Sequence, residues 1–204
     1  MYQSVVTRLD RLAQTGHLKS LAAGLIGIEK ESLRVAPQGG ISQNLHPSVF
    51  GSALTHPYLT TDYSEALLEY ITPPMRDRMA VLNFLCELHT YVYENLHDEI
   101  IWATSMPCVL AGETSIPIAQ YGHSNLGMMK TVYRRGLGHR YSRVMQVIAG
   151  VHFNYSFDDA FWQAYQHMEK NQAAEQDYRS ARYFDLIRNL QRYGWLIPYL
   201  YGAS

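Results

Sequence analysis

Apolar and polar positions alternate through residues 25–35, where Ile26, Ile28, Leu33 and Val35 suit a pleated strand and Pro37-Gln38-Gly39-Gly40 stops it. Period two places Glu29 and Glu31 on one face with Leu25, Gly27, Leu33 and Val35. Residues 66–72 predict a second strand, ended by Pro73-Pro74, with Glu65 and Glu69 on one face and Asp62 before its start. The most regular alternation runs through residues 144–157. Val147, Ala149, Val151, Phe153, Tyr155 and Phe157 interleave with Gln146, Ile148, Gly150, His152, Asn154 and Ser156. This predicts one side on a core and the other lining something polar, with Gly150 leaving room for a ligand.

Helical spacing appears four times. Val5, Leu9, Leu12, Leu18 and Leu21 predict a helix over residues 3–22, broken near Gly16 and packed on the sheet. Met79, Leu82, Leu85, Leu88 and Val92 predict a core-packing helix over residues 77–96. Asp158-Asp159 can cap a helix from about Ala160 with Phe161, Trp162 and Tyr165 inward. Residues 173–193 predict a helix with Tyr183, Phe184, Ile187 and Leu190 inward and Arg179, Arg182, Arg188 and Arg192 outward. Residues 41–60 read as a long loop, and the apolar, aromatic residues 195–201 call for a partner surface.

With 204 residues, 47% of them apolar and 17% charged, the chain can bury a real core. Seventeen basic against eighteen acidic side chains give a net charge of -1, which provides no reason to expect nucleic acid or an anionic membrane as partner. No apolar run approaches the roughly 20 residues of a membrane span. Cys86 and Cys108 are the only cysteines, and without framework spacing they read as reduced thiols in a cytoplasmic protein.

The candidate chemistry begins with Glu29 and Glu31. Two carboxylates about 6.6 Å apart on one strand face repel by roughly 2–3 kcal/mol at an effective dielectric near 20. A hard dication held by oxygens would relieve that repulsion; so would water, and this segment alone favours the solvated edge. Asp62, Glu65 and Glu69 add acidity around an apolar centre, which a surface strand explains equally well. Lys130, Arg134, Arg135, Arg140 and Arg143 concentrate positive charge, as an anion seat or as a solvated helix face. There is no Walker loop, dinucleotide glycine motif, zinc-type cysteine spacing or nucleophile elbow.

Taken together, Gly27-Ile28-Glu29-Lys30-Glu31-Ser32-Leu33-Arg34-Val35, Gly51-Ser52-Ala53-Leu54-Thr55-His56, Thr60 to Glu69, Ser105-Met106-Pro107-Cys108, Ala119-Gln120-Tyr121-Gly122, Lys130-Thr131-Val132-Tyr133-Arg134, Gly150-Val151-His152-Phe153-Asn154 and Gly194 to Tyr199 resemble, in order, the proteobacterial-type glutamate–cysteine ligases. The resemblance implies an α+β fold, a curved and mainly antiparallel sheet of the glutamine-synthetase-like kind with helices on its outer face. It implies ATP-dependent ligation of the glutamate γ-carboxylate, through an acyl phosphate, to the amine of cysteine in glutathione biosynthesis. Glu29, Glu31, Asp62 and Glu69 would hold Mg²⁺, His152 would join the metal–nucleotide shell, and Tyr63, Tyr133, Gln146 and Asn154 would line the amino-acid pockets. Mn²⁺ would tolerate the histidine better than Mg²⁺ does. No side-chain nucleophile is needed. Family members are much longer, so residues 1–204 are expected to be the N-terminal part of one catalytic domain, an incomplete fold whose C-terminal remainder is its partner and which alone is weakly active or inactive. A metal-dependent phosphohydrolase and a non-catalytic interaction fragment are the alternatives.

Overall fold

The computed structural model describes residues 2–202. They fall into two compact units, a mixed unit of residues 25–155 and a helical unit built from the segments on either side of it.

The helical unit begins with α1 (Tyr2–Gln14) and α2 (Leu18–Leu21), separated at Gly16, whose φ of 75° is the left-handed turn that breaks the helix.

The mixed unit is an open five-stranded sheet around β1 (Leu25–Val35). β2 (Leu59–Thr61) and β3 (Leu67–Ile71) form an antiparallel pair, and β3 runs antiparallel along β1. α3 (Arg78–Asn95) follows, capped by the Asp77 carboxylate accepting from the Met79 N–H. The short β4 (Ile100–Ile101) and, after α4 (Asn125–Tyr141), β5 (Val151–Ser156) also pair with β1. The long loop of residues 41–60 is tied down by a 3₁₀ turn at Ser48–Phe50, and Phe50 is buried.

The two faces of the sheet are chemically different. On one, Leu33 and Val35 are fully buried with Tyr63, Leu67, Ile116 and Val147, and the same face carries Glu29 and Glu31 beyond them. The other face holds Leu68, Tyr70 and the α3 side chains Leu85, Leu88 and Val92, with His89 stacked on Tyr70 at 4.1 Å. The predicted stripe on α3 therefore holds at Leu85, Leu88 and Val92, but Met79 and Leu82 are exposed, and Val81 packs instead.

The predicted strand over residues 144–157 is shorter than the alternation suggested. Met145–Val147 forms a 3₁₀ turn, and pairing begins only at Val151. Val147 and Ala149 reach the core, whereas Val151, Phe153 and Tyr155 are exposed, so the apolar side of β5 has no core beneath it among the described residues.

In α4, Gly138 is a packing requirement. A Cβ there would overlap the hydroxyl of Tyr63, a core ring that is 1% exposed. Gly136, two residues earlier, has open space around its Cβ position. Gly136→Ala should stabilise by up to about 1 kcal/mol through helix propensity. Gly138→Ala should destabilise by about 1–3 kcal/mol, because overpacking outweighs that gain. Urea denaturation of the two variants, read as opposite shifts in midpoint, checks the assignment.

The helical unit resumes with α5 (Asp159–Met168), α6 (Glu175–Tyr193) and α7 (Leu196–Tyr201). Asp158 caps α5 by accepting from Ala160 N–H, and Phe161, Trp162 and Tyr178 form its core with Tyr165 and Tyr183 alongside. α1 and α2 pack on α5 within this unit, where the apolar stripe had suggested the sheet. The face predicted to turn inward on α6 is only partly right: Tyr183 packs, but Phe184, Ile187 and Leu190 are exposed. Helix spacing identified a stripe without saying what covers it.

Candidate functional site

The strand register assembles the carboxylates. Glu31 of β1 lies directly opposite Glu69 of β3, so two side chains far apart in sequence share one face at neighbouring positions. Glu29 is on that face two residues earlier. Asp62 stands in the turn between β2 and β3, where its N–H donates to the Leu67 carbonyl. From the other edge of β1, β5 brings His152 and Asn154: His152 Nδ1 is 3.0 Å from Glu29 Oε2, and Asn154 Nδ2 donates to Glu29 Oε1 at 3.0 Å. The Gly150 N–H donates to Glu31 Oε2 at 2.7 Å, while its carbonyl accepts from the Glu31 N–H. A Cβ on Gly150 would sit 2.9 Å from His152 Nε2 and 3.5 Å from Glu31 Oε2, so this glycine lets the loop approach the carboxylates.

The electrostatics record the crowding. Burial raises the Glu69 carboxyl pKa to about 7, with further upward pushes from Asp62, Glu31 and Glu29. Glu31 is also raised, first by burial, though the Gly150 N–H and His152 work against the shift. His152 is held above its usual range, chiefly by its hydrogen bond to Glu29. Arg134 of α4 approaches Asp62 from behind, its Nε–H donating to the Asp62 carbonyl and its Nη2 lying 3.9 Å from Oδ1.

Glu29, Asp62 and His152 thus act on both Glu31 and Glu69, and His152 bonds Glu29, so all five predicted metal-site residues share one neighbourhood. Among the described residues, no three His, Cys, Asp or Glu side chains already stand at metal-holding positions. The donor set nonetheless fits a hard dication. It consists of carboxylate oxygens whose mutual repulsion, visible at Glu69, such an ion would relieve.

The predicted substrate residues are spread more widely. Asn154 is exposed beside Glu29. Gln146 is half-buried in the 3₁₀ turn, and Tyr133 is exposed on α4. Tyr63 lies in the core, its hydroxyl buried without a hydrogen-bond partner among the described residues.

Two participants were missed in the sequence. Arg134 and Lys130 were read as part of a basic cluster and of a run carrying the family resemblance, with no role at the carboxylates; both lie over the Tyr121 ring, at 4.7 and 5.0 Å, and Arg134 braces Asp62. Their spacing of four residues on a helix was the available signal. Glu65, grouped with the acidic face, instead turns into the loops, accepting from the His46 and Gln120 N–H groups at 2.9 and 2.7 Å.

A family model described as glutamate–cysteine ligase matches residues 9–204. The glutamate–cysteine ligase of Alcanivorax borkumensis is 55% identical over 197 residues, covering 97% of this chain and 38% of the relative. That of Hahella chejuensis is 53% identical over 205 residues, covering 100% and 39%. Among solved structures, the Francisella tularensis glutamate–cysteine ligase in complex with AMP superposes with a TM-score of 0.80 at 40% identity, over 89% of this chain and 35% of that one. A bifunctional glutathione synthetase from Pasteurella multocida gives 0.81 at 29% identity, over 96% and 25%. The chain therefore spans less than two fifths of the length of these relatives.

Proposed function

This chain belongs to the glutamate–cysteine ligase family, and from that membership we propose that the protein carrying it joins the γ-carboxylate of glutamate to the amine of cysteine, converting ATP to ADP and phosphate. The observation that carries the reading is the pairing of Glu31 with Glu69 across β1 and β3, with Glu29 and Asp62 beside them. In this reading these four carboxylates hold Mg²⁺, or Mn²⁺, and His152 contacts the metal or the nucleotide phosphates. The ion supplies charge neutralisation for the phosphates during phosphoryl transfer. The AMP bound in the Francisella tularensis relative supports a nucleotide at this family's site.

The chain's own residues account for positioning. Gly150 and Asn154 orient Glu31 and Glu29 by hydrogen bonds, so the carboxylates do not have to be ordered anew when a cation arrives. Arg134 fixes the turn that presents Asp62. Asn154, Gln146 and Tyr133 face the amino acids, and Tyr63 braces α4 from beneath. The remainder of the catalytic domain, as found in the longer relatives, completes the pocket and keeps water from the acyl phosphate.

The test is ADP release by the protein carrying this chain. The expected result is release that requires glutamate, cysteine and a divalent cation together. Phosphate release indifferent to both amino acids would replace the ligase by a phosphohydrolase.

A further inference from the structure

The helical unit holds two adjoining hollows that the ligase reading does not use. The larger, of about 910 Å³, is lined by Arg8 and Arg11 of α1, Lys170 just past α5, and Arg182 of α6. The smaller, of about 200 Å³, shares Arg8 and Arg182 and is walled by Phe157, Phe161, Trp162 and Tyr165.

Their charges do not cancel. Glu169 faces Arg8 at 3.4 Å and Arg182 at 3.6 Å, and Asp185 pairs with Arg182 at 3.0 Å. Four cations thus meet two carboxylates, and Arg11 and Lys170 form no ion pair among the described residues. Both stand near helix C-termini, whose carbonyl ends carry about half a negative charge each. That offsets about one unit and leaves the cleft positive. In the smaller hollow the rings already stack in series, Phe157 on Phe161 at 4.8 Å and Phe161 on Tyr165 at 5.5 Å. Trp162 Nε1 and Arg182 Nε, on residues bordering it, are buried donors with no hydrogen-bond partner among the described residues. Such unmet donors are costly unless something accepts from them.

A basic cleft opening beside an aromatic recess matches a ligand with an anionic end and a flat end. We propose that the helical unit binds a phosphate dianion carried on an aromatic group, a nucleoside monophosphate being the simplest such molecule. The phosphate lies by Arg11 and Lys170 and the base enters the aromatic recess. This site shares no residue with the carboxylate face and needs no divalent cation.

The experiment titrates the 204-residue chain in EDTA at low ionic strength with AMP, ribose 5-phosphate, inorganic phosphate and adenosine. Calorimetry and tryptophan fluorescence report binding, Trp162 lying beside the recess. AMP is expected to bind about tenfold or more tighter than inorganic phosphate or ribose 5-phosphate, the margin a stacked base supplies. The double variant Arg11→Gln/Lys170→Gln, altered only at exposed side chains, should weaken AMP by about tenfold or more, and Glu69→Gln should not change it. Raising the ionic strength should weaken AMP binding in the parent chain, a readout that needs no variant. AMP bound no better than phosphate, AMP affinity unchanged in the double variant, or no binding by any of the four would each overturn the proposal. None of these outcomes bears on the ligase reading, because the metal is absent throughout.

Discussion

Replacing Glu69 with glutamine should make the metal-free protein more stable above neutral pH and at the same time impair its hold on Mg²⁺ or Mn²⁺. The two effects share one origin. Glu69 has a folded-state pKa of about 7, well above the ordinary carboxyl value near 4.5, because burial and then Asp62, Glu31 and Glu29 disfavour its charge. A carboxyl raised in this way binds its proton more tightly in the folded state than in the unfolded one. Its contribution is therefore fully present below about pH 4.5 and is lost as pH rises toward about 7. With EDTA present, urea midpoints of the parent chain should fall across that interval, and those of Glu69→Gln should fall less. A dication reverses the balance by favouring the charged form. Mn²⁺ titration should show affinity in Glu69→Gln reduced by about 10-fold or more, since even an outer-shell partner of a metal is worth about 10–100-fold. Equal Mn²⁺ affinity in the two proteins would remove Glu69 from the metal site and favour a non-catalytic fragment.

The largest loss of stability should come from Glu99→Ala. Arg34 extends from the helix-facing side of β1 with its side chain 0% exposed, and Glu99 meets it at 2.7 Å with 3% exposure. Glu99 also accepts from the Ser42 hydroxyl and from Asn44 Nδ2, while Arg34 Nη2 donates to the Asn44 and Glu65 carbonyls at 2.8 and 3.0 Å. Desolvation makes such a pair a modest contributor relative to an apolar replacement, but breaking it strands a guanidinium in the interior. The expected cost is about 3–5 kcal/mol. The double variant Arg34→Met/Glu99→Gln should recover part of this, because it leaves no unpaired charge. A Glu99→Ala cost below about 1 kcal/mol would mean that water reaches Arg34.

Much of the carboxylate face could be read from the sequence, because it rests on a local rule. Alternation alone put Glu29 with Glu31, and His152 with Asn154, and the folded strands keep both pairings. The opposition of Glu31 and Glu69 could not be read, since register depends on the turn after Asp62 rather than on either strand. The predicted strand over residues 144–157 ran too far because Val147 and Ala149 are buried for a different reason: Val147 ends a 3₁₀ turn and Ala149 follows it with its N–H donating to the Ser105 carbonyl, and period two cannot distinguish that from strand pairing. Arg34 looked like an ordinary alternate position, and its partner 65 residues later left no mark on the pattern. Apolar stripes on α6 and β5 were correct as stripes and wrong as buried faces, because composition says nothing about the neighbour that covers them.

The length of the short connection between Asp62 and Leu67 accordingly decides which side of β3 meets the carboxylates of β1. Adding or deleting one residue there would rotate every side chain of β3 by half a turn. The Glu69 carboxylate would swing beneath the sheet toward His89, and the Tyr70 ring would rise among Glu29 and Glu31.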